Sequence, residues 1–355
     1  MTAIAAQYKE APMKKMRLAF ATFLWMLLIP LPSSALAALL DDLVAAAKRE
    51  GTLELYAPSS LTPEGVQKLG DAFNTKFGLD IKVNYSPSGS MIKDVSRVVT
   101  EAAAGVPPDW DLMVVTDAHH AVLWLKKLHC PFDYAKLGVD PRAIQYDHGT
   151  VILANQFALP AYNAKVLRPQ DVPKRWENLL DPKWSGGKLG IGTTTHHLAR
   201  LAAAWGEEKT TGFVRDLAKQ QPLLGELGSI YSRLQLGEVQ IAISMTDSFI
   251  HQAKVTGAPI VFAERVEPVI SPAYNAGVLK GARHPNAATL FGYFLTTPEA
   301  QKIWEKYGGQ TSAFVPGTPA YHYAQGKKVL FMAQDHAEMV SRLTALYGKI
   351  LGFTR

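Results

Sequence analysis

The sequence predicts an α/β fold of two lobes, each a mostly parallel sheet flanked by helices, with two strands crossing between the lobes. Three observations predict it. Strand-like and helix-like stretches alternate along most of the chain, which is the signature of parallel sheets with crossover helices. The chain has 355 residues, more than one hydrophobic core usually supports. Near the middle and again near residue 265 the alternation breaks and restarts, so two sheets fit better than one oversized sheet.

The elements follow in order. Residues 41–49 form a helix with Leu43, Ala46 and Ala47 on one face, stopped by Gly51. TLELY (52–56) alternates as a half-buried strand. Thr62-Pro63-Glu64 starts a helix that Gly78 ends. LDIKVNY (79–85) is a second strand, and Ser86-Pro87-Ser88-Gly89-Ser90 leads into a helix to about Ala104. DLMVV (111–115) is nearly all apolar, as expected for a strand covered on both faces. A helix over 117–127 follows, then an irregular stretch over 129–149. A second set has strands at 150–157, 187–192, 239–244, 259–262 and 269–279, with helices at 194–205 and from 247. Helices at 285–296, 298–307 and 329–350 close the chain. The expected division is 38–150 plus 265–312 for one lobe and 151–264 plus 313–355 for the other.

Composition excludes several classes. Hydrophobic residues make up 48% and charged residues 19%, so intrinsic disorder is excluded. A single cysteine excludes an internal disulfide framework and a multi-cysteine zinc site, and the apolar neighbours of Cys130 suggest a buried thiol. The net charge of +6 would suggest nucleic acid, but half of it sits in residues 1–37, where Lys9, Lys14, Lys15 and Arg17 face Glu10 alone. Beyond that point no Lys/Arg run exceeds two, so no patch is built for phosphates, and nucleic acid is not expected as a partner.

The first 37 residues read as a secretory signal peptide. Lys14, Lys15 and Arg17 precede twelve residues, LAFATFLWMLLI (18–29), with only Thr22 polar. Pro30 and Pro32 end the run, and Ser33-Ser34-Ala35-Leu36-Ala37 supplies a small-x-small site with cleavage after Ala37. The run is too short for a membrane span, which needs about 20 apolar residues. Met13 is an alternative start. The expectation is an exported, periplasmic protein.

Six stretches in order resemble the periplasmic solute-binding proteins of ABC importers, in the branch that includes ferric-ion, thiamine and aminoethylphosphonate binders. They are AAAKREGTLELYAPSS (45–60), FNTKFGLDIKVNYSPSGSM (73–91), DWDLMVVTD (109–117), YNAKVLRPQDVPKRWENLLDPKWSGGKLGIG (162–192), GEVQIAISMTDS (237–248) and LKGARHPNAATLFGYFLTTPEAQKIW (279–304). The resemblance implies the type II periplasmic binding fold and a solute held between two lobes. It also implies a membrane permease with its ATPase as partner, and a monomer without cofactor or catalysis.

Physical reasoning narrows the binding site. In open α/β sheets ligands sit beyond the carboxyl ends of strands. Here those ends are Tyr56 to Ser60 (with Ser59 and Ser60), Ser88-Gly89-Ser90, Thr116-Asp117 and Thr193 to His196 (with Thr194 and Thr195). Three of the four are rich in hydroxyls and open helices, whose free N–H groups attract anions. Each segment taken singly is equally explained by N-capping. Their recurrence points to a carboxylate, phosphate or phosphonate at 88–90 and 193–195. A ferric cargo would need anionic oxygen ligands. The ferric branch carries adjacent tyrosines just after the strand matching VQIAIS, where this chain has Thr246-Asp247-Ser248-Phe249. Tyr231, Asp247 and Tyr274 offer another oxygen set. A small organic or phosphorylated anion therefore ranks ahead of iron, and no resident metal is expected. An exported enzyme on the same fold is the alternative of another class. It would draw an acid/base pair from Asp117, Asp147, Asp247 and the histidines. His119-His120 and His196-His197 would each leave one ring exposed and one packed, because helical neighbours point about 100° apart.

Overall fold

The computed structural model of the chain describes residues 33–353. The basic and apolar part of the expected signal peptide, residues 1–32, lies outside the described residues. The expected cleavage point falls within the first helix, α1 (Ser33–Glu50).

After Gly51, at φ 67°, β1 (Thr52–Ala57) buries Leu53 and Leu55. In α2 (Thr62–Phe77), Thr62 is non-helical at φ 59° and its hydroxyl accepts from the Gly65 N–H at 3.3 Å, so it caps the helix. β2 (Lys82–Pro87), α3 (Met91–Ala103), β3 (Leu112–Thr116) and α4 (Asp117–Leu125) follow, then β4 (Ile144–Gln145) and β5 (Thr150–Asn155). The second set begins with β6 (Ala158–Asn163) and β7 (Leu189–Gly192). It continues through α5 (His196–Arg200), α6 (Ala202–Trp205), α7 (Glu207–Lys219), β8 (Leu223–Gly225) and α8 (Leu227–Leu236). Next come β9 (Ile241–Thr246), α9 (Asp247–Thr256), β10 (Ile260–Phe262) and β11 (Val269–Ser271). The chain then returns through β12 (Ala273–Val278), α10 (Pro285–Leu295) and α11 (Pro298–Gly308). It ends on α12 (Pro319–Ala324), β13 (Val329–Phe331) and α13 (Ala337–Leu351).

The first sheet has the order β2-β1-β3-β12-β5-β4, and the second β13-β11-β6-β9-β7-β8 with β10 alongside β6. β1, β2 and β3 run parallel, as do β7, β8 and β9. This is the two-lobed, type II periplasmic binding architecture. Each lobe has its own core. In the first, Phe73 packs against Phe77, Phe291 and Phe294 with ring centroids 5.1–5.6 Å apart. Losing a ring such as Phe73 costs about 3–5 kcal/mol. Glu50 at the end of α1 accepts from the Asn286 and Ala287 N–H groups at 3.2 and 2.7 Å, which fixes α1 to the start of α10. In the second lobe, Trp176, Leu189, Ile191, Val214, Ile241 and Ile243 are buried together.

Several sequence expectations need adjusting. The run 150–157 is split: β5 belongs to the first sheet, and the chain changes sheet at 156–157 rather than at 150. The expected strand 269–279 is also two strands, in different sheets, separated by Pro272. Proline cannot donate to a ladder, so the change of sheet falls there. The two crossings touch: the Gln156 N–H donates to the Pro272 carbonyl at 2.8 Å, and the Asn155 amide to the Ser271 hydroxyl at 3.2 Å. Residues 329–350 are not one helix. Val329-Leu330-Phe331 pair in parallel with Val269-Ile270-Ser271, and only the part from Ala337 is helical. Short apolar runs do not separate strand from helix by periodicity. The expected helix over 194–205 is two short ones, α5 and α6. Cys130 is partly buried against the first core.

Candidate functional site

The strand registers locate the site. Tyr274, near the start of β12, lies opposite Thr116 at the carboxyl end of β3. Ala158, the start of β6, lies opposite Thr246 at the carboxyl end of β9. Both crossings therefore sit at the carboxyl ends of the parallel strands, where ligands bind in such sheets.

At this seam Asp117 of the first lobe meets Arg200 of the second. The guanidinium donates from both terminal nitrogens to the two carboxylate oxygens, each at 2.7 Å. The two side chains are 0% and 1% exposed. Asp117 opens α4 immediately after β3, and its Oδ1 also accepts the Ala118 N–H at 2.7 Å. The Tyr146 hydroxyl donates to the Asp117 carbonyl at 2.6 Å and fixes the same turn. Among the described residues the buried Arg200 Nε and the buried Thr194 hydroxyl oxygen have no hydrogen-bond partner. A fork-to-fork pair of this kind is geometrically specific. Removing one partner would leave an uncompensated buried charge, at a cost of about 3–5 kcal/mol while the lobes stay closed.

Histidines surround the pair. His119 Nδ1 lies 2.7 Å from the Thr116 hydroxyl. Burial lowers the pKa of His119, with Asp117 opposing. Burial, assisted by Arg200 and His119, lowers His196 to about 3. His120 and His197 are fully packed and driven well below the usual imidazole range, first by burial and then by neighbouring histidines. His120 Nε2 lies 3.0 Å from the Asn275 carbonyl and so carries the proton, leaving Nδ1 to accept from His129 Nε2 at 3.0 Å. One ring of each histidine pair is packed, but the other is half-buried rather than exposed as expected, because the facing lobe covers it. Among the described residues no group of three or more His, Cys, Asp or Glu side chains is placed to hold a metal ion.

The C-terminal segment joins the lobes beside the seam. β13 belongs to the second sheet, yet Gln145 of the first lobe donates to the Met332 carbonyl. The Asp147 N–H donates to Gln334 Oε1 at 2.8 Å, and the Gln334 amide returns to Asp147 Oδ1 at 2.7 Å. Ala337 of α13 packs with Ala121 and Tyr146. Hydrogen bonds from Trp124 and Gln334 hold the Asp147 carboxyl below its usual range. Asp147 is thus tied into this junction.

The other expected residues fall in three places. Ser59 and Ser60 are exposed in a short 3₁₀ turn, and the Ser59 N–H donates to Ser88 Oγ at 3.3 Å. At Ser88-Gly89-Ser90 the helix start is already served from within: Asp94 Oδ2 accepts the Ser90 N–H at 3.3 Å and the Tyr56 hydroxyl at 2.6 Å. Thr195 is buried and donates to the Thr344 carbonyl at 3.2 Å, tying α5 to α13. At the end of β9, the Thr246 and Ser248 hydroxyls are 2.8 Å apart. Burial raises the Asp247 carboxyl to about 7, opposed by backbone N–H groups of Phe157 and Ser248. Tyr231 is buried with its ring 5.0 Å from Phe249, and burial raises its pKa and that of Tyr274. The structure sets Asp117 against Arg200, which in turn lies close to His196 on α5; among the described residues no hydrogen bond ties the 88–90 loop to them.

Sequence reasoning missed Arg200, Tyr146 and Asp94. Arg200 carried a readable signal: it is the single charge in the apolar run Leu198 to Trp205, and a charge there needs a partner. The partner itself, on the other lobe, could not be read.

Comparison with known proteins bears on the fold. The iron-bound HitA of Pseudomonas aeruginosa superposes with a TM-score of 0.64 at 19% identity, over 84% of this chain and 99% of that one. The Trichodesmium FutA in complex with iron and citrate gives 0.67 at 18% identity, over 85% and 99%. The AfuA of Actinobacillus pleuropneumoniae with fructose-6-phosphate gives 0.65 at 19% identity, over 86% and 99%. A protein of Haemophilus influenzae, itself uncharacterized, is 30% identical over 148 residues, 39% of this chain and 42% of that protein's length, so the match spans less than half of that relative. The family model for the bacterial extracellular solute-binding proteins matches residues 53–310, most of both lobes, and the chain belongs to that family.

Proposed function

We propose that this protein is the periplasmic capture component of an ABC importer, binding a small organic or phosphorylated anion between its lobes and passing it to a membrane permease with its ATPase. The family and the solved neighbours are binding proteins, and among the described residues no helix is long and apolar enough to cross a membrane. The observation that carries the anionic reading is Arg200. It is a guanidinium enclosed between the lobes at the strand ends, with a buried Nε–H that nothing among the described residues uses. Guanidinium suits carboxylate and phosphate because its planar fork matches both. The neighbours solved with citrate and with fructose-6-phosphate lend support by analogy. Native mass spectrometry of the protein purified without denaturation tests the reading. An anionic ligand that stays with the protein and raises its melting temperature on re-addition is the expected result. A retained ligand with no anionic group would remove it.

A ferric cargo ranks second. Two neighbours were solved with iron, but this chain has Thr246-Asp247 where the resemblance places a tyrosine pair, and burial disfavours phenolate at Tyr231 and Tyr274. Iron-loaded protein should be colourless. A stoichiometric visible band lost in Tyr231→Phe or Tyr274→Phe would promote iron over the anion.

A further inference from the structure

We propose that Asp117 and Arg200 are the two halves of one solute subsite, and that the solute is a zwitterion whose anionic group takes Arg200 and whose ammonium takes Asp117. This rests on the cleft reading above and sharpens it.

The argument begins from position. Each residue follows the carboxyl end of a strand, Asp117 directly after β3 and Arg200 at the end of the short helix after β7, and they come from opposite lobes. The other carboxylate–guanidinium and carboxylate–ammonium pairs among the described residues keep at least one partner substantially exposed, whereas this pair is 1% and 0% exposed. Parting the lobes breaks it cleanly. It leaves a carboxylate on one wall, already oriented by the Ala118 N–H and the Tyr146-held turn, and a guanidinium on the other. The pair accounts for both terminal nitrogens of Arg200 but not for Nε, which is buried without a partner among the described residues. A ligand oxygen reaching the Nε edge would use the donor that Asp117 leaves idle.

Charge balance then selects the solute. The groups around the pair are His119, His196 and His197, all kept neutral by burial, and the Tyr146 phenol. The walls therefore carry one positive and one negative charge. A closed site that encloses a net anion or a net cation beside them keeps an uncompensated buried charge, whereas a zwitterion keeps the sum at zero. A molecule with only an anionic group would also face the Asp117 carboxylate with no donor to offer it.

The test is titration calorimetry with matched probes. Glycine, β-alanine, 4-aminobutyrate and taurine are each compared with the amine-free partner: acetate, propionate, butyrate and ethanesulfonate. At least one zwitterion should bind tenfold or more tightly than its partner. In Asp117→Asn, a near-isosteric change, that ratio should fall below threefold, and Arg200→Lys should weaken both members of the pair. Melting curves of both variants check that they fold. Equal affinity for the amine-free partner, a ratio unchanged in Asp117→Asn, or no binding by any probe overturns the proposal. A co-purified ligand that is an amine-free anion also overturns it while leaving the anionic capture reading standing; a ligand with no anionic group removes both.

Discussion

The loop at Ser88-Gly89-Ser90 and the seam at Asp117 and Arg200 are both strand ends that open into helices, yet they are built differently. In the loop the polar groups are answered locally. Asp94, four residues on, takes the Ser90 N–H, and Gly89 has open space where a Cβ would stand. At the seam the answer comes from the other lobe, 83 residues away. A hydroxyl-rich loop reports mainly on how its own helix is capped. A buried charge with a distant partner reports on how the two lobes meet.

The largest expected effect that tests this contrast is at the seam. Arg200→Met leaves Asp117 unpaired, and if the lobes stay closed the loss should approach 3–5 kcal/mol. Parting the lobes lets water reach the carboxylate at lower cost, so the expected outcome is a larger radius of gyration by small-angle scattering with a smaller loss in urea stability. An unchanged radius with the full loss would mean that the seam is a fixed part of the core.

Next is acid sensitivity. His119, His120, His129, His196 and His197 all have pKa values lowered in the folded state, first by burial, His129 to about 4 and His196 to about 3. The unfolded chain takes up these protons near the ordinary value of 6.5 and the native state does not, so stability should fall as pH drops from about 6.5 towards 4. Asp247 works in the opposite direction. Its folded pKa of about 7 against the ordinary aspartate value of 3.8 means that its burial weakens the fold as pH rises between those values. Five histidines against one carboxyl leave the net slope positive. Urea titrations at pH 4.5, 5.5 and 6.5 measure it, and a flat profile would show that the seam admits water.

Asp247→Asn isolates the opposing part. It should match the native protein near pH 4 and gain stability relative to it up to about pH 7, read as a rising difference in melting temperature.

The smallest effect belongs to the loop. Ser90 makes no side-chain cap bond, so Ser90→Ala should change stability by less than about 0.5 kcal/mol. Asp94→Ala removes the acceptor for both Tyr56 and Ser90 and should cost about 1–3 kcal/mol. If Ser90→Ala instead weakens ligand binding tenfold, the loop belongs to the site and the contrast fails.

The local pattern of the chain was enough to establish the alternation of strands and helices and most of their ends. Gly51, Thr62-Pro63 and Gly78 act through the φ values and hydrogen bonds of their own turns, and the buried run Leu112 to Val115 declares its two covered faces by lacking polar residues. Asp117 and His196 were named from the sequence because each follows a strand end, which is where this topology leaves room. What only the tertiary structure decided was pairing at a distance. Pro272 places β11 and β12 in different sheets, Val329 to Phe331 is a strand because β11 offers it an edge, and Arg200 is useful because Asp117 stands opposite. Local propensity depends on neighbours a few residues apart, whereas a sheet edge or a buried charge is satisfied by whatever the fold brings alongside, and no spacing along the chain encodes that.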